Sequence, residues 1–528
     1  MAIWSIRSLA PLVFVIGTAC AAGPDPSKQP VADTGQRTFG ETYSYIAQRY
    51  IDPVSVRTFA VNAMQGLKAI DPDITIAATD GQIAVRRGNE VTARVPMPAR
   101  DDAREWGVAS VAVVRAAADA SPKIKTATSE KIYEVMFEAA LGKLDKFSRY
   151  QTAEDARDAR AVRDGYSGIG ISIQVVDGVT KVAAVMPSAP AEIAGLRVND
   201  TITRVNGQPI QGFTLRQVVN ELRGPEGTAV KLTVVRENVV APLDVSVERR
   251  HIVPDTVVYR REGDGAYIKL TRFNQRTGRQ LAEQVARARA DLGPGFGGLI
   301  LDLRDNPGGL LDQAIYVSDL FLARGKIVST HGRHPDSLQS YDASNRDILD
   351  GRPLIVLING RSASSSEIVA AALQDHGRAI VVGSTSFGKG TVQTVFTLPN
   401  EGELILTWSR FHSPHGYILQ GLGVAPTLCL SAGATPASVM ADLRQNKLKM
   451  AATLREWQLQ TTPNEQKFAR LRAVCPPYFT TNPKADPELE VARQLLHEPV
   501  LIERAMRLGN THSTASTPQD PPPGRRHQ

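Results

Sequence analysis

Residues 353–377 read PLIVLINGRSASSSEIVAAALQDHG. LIVLIN (354–359) is apolar enough for a strand covered on both faces, GRSASS (360–365) is a small-residue turn, and SEIVAAALQDH (366–376) is a helix closed by Gly377. Outward from this unit, strands and helices alternate from 265 to 427, as in GGLILDLRDNPGGLLDQAIYVSDLFL (297–322). That alternation predicts a layered α/β domain over 251–430.

The flanks differ in character. Residues 166–250 alternate short strands (GIGISIQVV, TKVAAVM, DTITRVNG, AVKLTVVRE) with two short helices, Ala189–Ala194 and Leu215–Leu222. Before them, 36–160 is mainly helical (about 38–67, 102–120 and 129–147), broken by a β-meander at 74–98 with turns at Asp80-Gly81 and Gly88-Asn89. Helical segments return at 437–457, 463–473 and 486–507 within a C-terminal region 431–510, and the tail 511–528 is predicted to be disordered. A chain of 528 residues is too long for one core. The fold class is therefore multidomain α/β (α+β) with helical N- and C-terminal regions.

Three segments carry chemistry. A serine on the turn between a strand and a helix exposes its oxygen beside N–H groups that stabilise developing negative charge, although a serine cluster before a helix is by itself usually a cap. GSTSFGKGTVQ (383–393) follows the next strand and sets Lys389 between Gly388 and Gly390. A lysine desolvated beside a buried sheet edge loses its proton more easily and can then take one from a serine. Gln393 is neutral, so it can orient the amine without the charge that would hold the proton on it. LDLRDNPGGLL (301–311) ends a strand in a glycine-rich turn, where Gly308 or Gly309, with the amide of Ser365, can face a substrate carbonyl oxygen. Asp302, Arg304 and Asp305 are read as holding this turn, and no GK[ST] ending supports a phosphate-binding loop. Among nine histidines, His376, His412 and His415 flank the core and keep a Ser-His-Asp mechanism open as a rival. No cluster has metal-ligand spacing, so neither metal nor other cofactor is expected.

Together these segments resemble the C-terminal processing peptidases, or tail-specific proteases. The family pattern Asp-Leu-Arg-x-Asn-x-Gly-Gly stands here as Asp302–Gly309, Ser-Ala-Ser-x-Ser-Glu as Ser362–Glu367, and Phe-Gly-Lys-Gly-x-Val-Gln as Phe387–Gln393. The resemblance covers about 145–430 and implies a Ser364 nucleophile, a Lys389 general base and a supporting Gln393. It implies a crotonase/Clp-like protease core with a PDZ domain inserted beside it, which falls on 166–250. Gly168, Ile169, Gly170 and Ile171 match the PDZ loop whose amides hold a peptide carboxylate, and Arg223 falls on the turn that couples the PDZ domain to the active site in some members. Ser365 departs from a common Ala, leaving the backbone donor but adding a hydroxyl. The implied partners are unfolded or C-terminally exposed protein substrates, with an adaptor protein and a homodimer as further expectations. An inactive PDZ scaffold, or a ligand-binding relative of the protease fold, is the alternative.

Arg7 precedes the apolar run Leu9–Ala22, the length of a signal-peptide core, so residues 1–22 read as an export signal and 23–35 as a spacer. Ala19-Cys20-Ala21 fits ordinary secretion, whereas Thr18-Ala19-Cys20 fits a lipoprotein box with Cys20 lipidated and the protein anchored to the membrane. Either reading places the protein in a bacterial cell envelope, in the periplasm. Cys429 and Cys475 are then left as a pair in an oxidising compartment, and a disulfide between them competes with two separate buried thiols. The net charge of +7 is scattered along the chain rather than gathered in a stripe, which argues against nucleic-acid binding.

Overall fold

The computed structural model describes residues 33–509 except 345, 432, 449 and 479–484. The export signal, Cys20 and the tail 511–528 lie outside the described residues. The chain divides into two compact units, one of residues up to 45, 54–150 and 398–400, the other of 46–53, 151–397 and 401 onward.

The first unit is helical with a small sheet. Its helices Val56–Met64, Ala103–Ala120 and Ser129–Leu141 start on the side-chain caps Ser55, Asp102 and Thr128. They enclose a core that includes Phe39, Tyr43, Phe59, Trp106 and Phe137. The expected meander is an antiparallel sheet of Ile74–Thr79, Gln82–Arg87 and Glu90–Pro96. Two boundaries differ from the sequence reading. The first helix begins at Asp33, inside the predicted spacer, and the unit ends at Tyr150 rather than near 160. Helix Ala153–Arg163 belongs to the second unit because Arg160 and Arg163 both reach the buried carboxylate of Glu403 there, at 2.7 and 3.4 Å.

In the second unit, Ile171–Val176, Val179–Val185, Thr201–Val205, Ala229–Val235 and Leu243–Glu248 form one antiparallel sheet with Ile171–Val176 at its edge. The α/β part is built on a six-stranded sheet in the order Val257–Glu262, Gly265–Leu270, Leu299–Asp302, Leu354–Ile358, Ile380–Gly383, Leu428–Cys429, parallel throughout except its first pair. Successive side chains of a strand point to opposite faces, and both faces here are apolar. Leu299, Leu301, Val356 and Ile358 meet helices Thr277–Leu292, Leu311–Asp319 and Ser365–Asp375 on one face. Ile300, Ile355, Leu357 and Val382 meet Val439, Met440, Leu443, Leu489 and Leu495 on the other. The C-terminal helices Pro436–Arg444, Pro487–Leu496 and Pro499–Gly509 are thus the third layer of the sandwich. The predicted helices 437–457 and 486–507 are each two shorter helices, the second pair parted by Pro499, whose ring cannot continue the ladder.

One buried ion network pins this layer to the sheet. Asp302, at the end of its strand and fully buried, receives Tyr267 Oη at 2.6 Å and Arg304 Nε and Nη2 at 3.0 and 2.7 Å. Arg304 Nη1 also donates to Asp486, the N-cap of Pro487–Leu496, at 2.6 Å. Burial alone would raise the Asp302 carboxyl, but the hydrogen bonds and charge of Arg304, with Lys269, hold it below the ordinary value. A depressed carboxyl contributes stability above its unfolded pKa, and that stability is lost as pH falls through the folded one. Arg304→Met should therefore cost about 3–5 kcal/mol in urea denaturation at neutral pH, because it strands a buried charge. The loss should shrink only as the pH falls below the ordinary carboxylate range and Asp302 takes a proton.

Candidate active site

Helix Ser365–Asp375 starts on Ser364, whose backbone sits at φ 57°, ψ −115°, a strained region for a residue with a side chain. Surrounding loops hold it there. Ala363 N donates to Asn306 O at 3.0 Å, and Ser366 Oγ donates to the same oxygen at 2.9 Å. Ser362 Oγ reaches Leu303 O at 2.8 Å, and the Asn359 side-chain amide exchanges two bonds with Asp305, each at 3.0 Å. The turn after Leu299–Asp302 is thereby stitched to the turn that bears the serine.

Gly308 lies against that serine. A Cβ at this position would stand 2.7 Å from Ala363 O and 2.8 Å from Ser364 Cβ, so only glycine fits. Its amide donates to Asn306 Oδ1 at 2.9 Å, so in this structure that donor is spent within the turn. The Ser365 hydroxyl, the departure from the family pattern, donates to the carbonyls of Gly309 at 3.0 Å and Leu310 at 3.3 Å. It joins the start of the serine helix to the glycine turn.

Lys389 sits on the loop after Ile380–Gly383 and is partly buried. A Cβ on Gly390 would lie 1.9 Å from Gln420 N, so the lysine loop and the 419–421 segment are backbone to backbone. Gln393 Nε2 donates to the hydroxyls of Thr391 at 2.8 Å and Thr407 at 3.3 Å, which fixes the plane of its amide.

The group that unites these loops is one the sequence reading quoted without giving it a role. Glu367, fully buried, accepts Ser364 N at 2.7 Å and Lys389 N at 2.9 Å on Oε2. On Oε1 it accepts Gly388 N at 2.6 Å and Ser386 Oγ at 2.5 Å. Burial pushes its carboxyl up, and the four donors oppose that. Its position three residues after a helix-capping serine is the spacing of an ordinary N-terminal cap, which conceals the second loop it holds.

Two of the rival histidines lie at the far end of the serine helix. His376 closes the far end of the serine helix, with Nε2 2.7 Å from Lys326 O. His415 approaches Asp375 at that same end, 3.5 Å away, where burial pushes the Asp375 carboxyl up to about 6. His412 lies against His331 in a second sheet, ring centroids 4.3 Å apart and ring planes tilted by 36°. Among the described residues no group of His, Cys, Asp and Glu could hold a metal ion. Cys429 and Cys475 are joined in a disulfide.

A separate groove of about 290 Å³ runs between the edge strand Ile171–Val176 and helix Leu215–Leu222. Gly168, Ile169, Gly170 and Ile171 line one end, Ile173, Leu215 and Val219 add apolar wall, and Arg223 closes it. Arg223 lies over the Tyr166 ring at 4.9 Å and donates to Asp158 at 3.0 Å.

Comparison with known proteins agrees with this layout. Residues 264–429 match the peptidase family S41 and residues 181–236 match the PDZ domain family. The carboxy-terminal-processing protease of Bartonella bacilliformis is 42% identical over 301 residues, covering 57% of this chain and 69% of that protein. A probable CtpA-like serine protease of Staphylococcus aureus is 34% identical over 310 residues, covering 58% of this chain and 61% of that protein. Among solved structures, the photosystem II D1 C-terminal processing protease aligns with 79% of this chain and 98% of its own at 21% identity, with a TM-score of 0.39. With its S41 peptidase and PDZ segments, this chain belongs to the carboxy-terminal-processing protease family.

Proposed function

We propose that the protein is a serine endopeptidase that takes hold of the C-terminal tails of exported proteins through its PDZ domain and cleaves them with Ser364 as nucleophile and Lys389 as general base. The observation that carries this reading is the shared carboxylate oxygen of Glu367, which binds the backbone of the serine and of the lysine at once. Two loops 25 positions apart in sequence, Ser364 to Lys389, are brought to one atom.

In the proposed reaction the uncharged Lys389 amine takes the Ser364 hydroxyl proton as Oγ attacks the substrate carbonyl carbon. The oxyanion so formed is met by the amides of Gly309 and Ser365, with Gly308 joining them if its bond to Asn306 opens. Collapse breaks the C–N bond, the lysine passes its proton to the leaving amine, and water then hydrolyses the acyl-serine. Gln393, tethered through its nitrogen, turns its carbonyl oxygen to the lysine as an acceptor. The tail itself adds as a strand along Ile171–Val176, its carboxylate on the amides of the Gly168–Ile171 loop.

Ser364→Ala and Lys389→Ala should each abolish peptide hydrolysis, and the double variant should be no worse, because the pair acts as one unit. Gln393→Ala should lower kcat without abolishing it. Hydrolysis by purified Ser364→Ala at the wild-type rate would refute the assignment. Glu367→Gln should lower kcat by about 100-fold, since an amide cannot accept all four bonds and misplaces both loops.

Tail selection has its own test. An unfolded reporter ending in a free apolar residue should be cleaved at least about tenfold faster than the same chain amidated, because amidation removes the charge that the loop amides receive. Equal rates would leave the PDZ domain without a part in tail choice.

We also place the mature protein in the bacterial envelope, lipidated on Cys20. Intact mass of membrane-extracted protein should show acyl chains on an N-terminal cysteine, and a product that starts after Cys20 would refute lipidation.

A further inference from the structure

The loop 383–389 is anchored at nearly every residue: by Glu367, by the backbones of Ile358, Ser362 and the 421–424 segment, and by the C-terminal segment. Its second half is held by Glu367, as described. The C-terminal segment holds the side chains of its first half. Ser384 Oγ donates to Tyr478 O at 2.9 Å and accepts Tyr478 N–H at 3.0 Å, while Thr385 Oγ1 donates to Cys475 O at 2.5 Å. Ser384 and Thr385 are fully buried, so these bonds face no competition from water. Cys475 is in turn joined to Cys429, on the short strand that pairs with Val382 and Gly383 where the loop begins.

Both Cys475 and Tyr478 lie beyond residue 429, where the match to the peptidase family ends. The loop needs outside support because Gly388 and Gly390, on either side of Lys389, give its backbone no preference of their own. A lysine between two glycines stands where its neighbours' hydrogen bonds put it.

We propose that Ser384 and Thr385 are positioning residues for Lys389, acting through the Cys475–Tyr478 segment, and that the Cys429–Cys475 cross-link keeps that segment in place. The inference rests on the reading of Lys389 as the base. Catalysis needs that amine in register with the serine oxygen, and a displacement of about 1 Å can cost two orders of magnitude in rate.

Thr385→Val, which keeps shape and loses the hydroxyl, should lower kcat about tenfold or more at unchanged KM, and Thr385→Ser should restore it. Cys429→Ser/Cys475→Ser should lower kcat in the same way. Hydrogen exchange of the 384–392 peptide should quicken in Thr385→Val and in the double serine variant while that of the 171–176 strand does not change. The exchange measurement needs no turnover, so it judges the brace even if Ser364→Ala shows that the catalytic assignment is wrong. Unchanged exchange over 384–392, or an effect on KM alone, overturns the proposal. If the double serine variant does not fold, Thr385→Val and its serine rescue decide the matter.

Discussion

A carboxylate with no access to water is the constraint around which the site is arranged. Moving a charge out of water is costly, and Glu367 offsets that cost only because its two oxygens accept four donors. Those donors come from the serine turn and the lysine loop, so the carboxylate is satisfied only when both loops are in place. The same bonds keep Ser364 at a positive φ, a conformation that an isolated turn would abandon. Alignment of the serine turn with the lysine loop and electrostatic compensation are therefore one requirement.

The sandwich supplies the frame for that carboxylate. The serine helix lies on one face of the parallel sheet and the helices Pro436–Arg444, Pro487–Leu496 and Pro499–Gly509 on the other, and the two turns that meet at Ser364 leave the carboxyl ends of neighbouring strands. Ligand sites of open α/β sheets form at this edge because adjacent strands end there together while their loops diverge. The Asp302–Arg304–Asp486 network links the glycine turn to the far layer. The C-terminal region is consequently part of the peptidase fold rather than an appendage, and it reaches the loop of Lys389 as well.

How much of this was legible beforehand can be judged residue by residue. The βα alternation of 297–322 and 353–377 announced the parallel sheet, since a strand buried on both faces has a continuous apolar run that periodicity exposes. Boundaries were less legible: the segment 129–147 is helical only to Leu141, because Gly142 ends it while apolar spacing continues. The triple role of Glu367, as cap, anchor of Ser386 and clamp on the lysine loop, was hidden because its spacing to Ser364 already had a local explanation. Gly308 was expected as a donor to substrate, but a side chain two residues away, Asn306, takes its amide.

The amino-acid sequence by itself determined the layer architecture, the chemical identity of the nucleophile and base candidates, and the glycine-rich turns around them. These rest on periodicity and on local backbone preference, which short windows encode. Only the tertiary structure decided which buried acid joins the two loops, which face the C-terminal helices cover, and that Cys475 and Tyr478 support the loop of Lys389. Those facts depend on contacts between residues far apart in sequence, such as Arg304 and Asp486, 182 positions apart. Such contacts leave no periodic trace, because their partners become neighbours only when burial of the whole sheet brings them together.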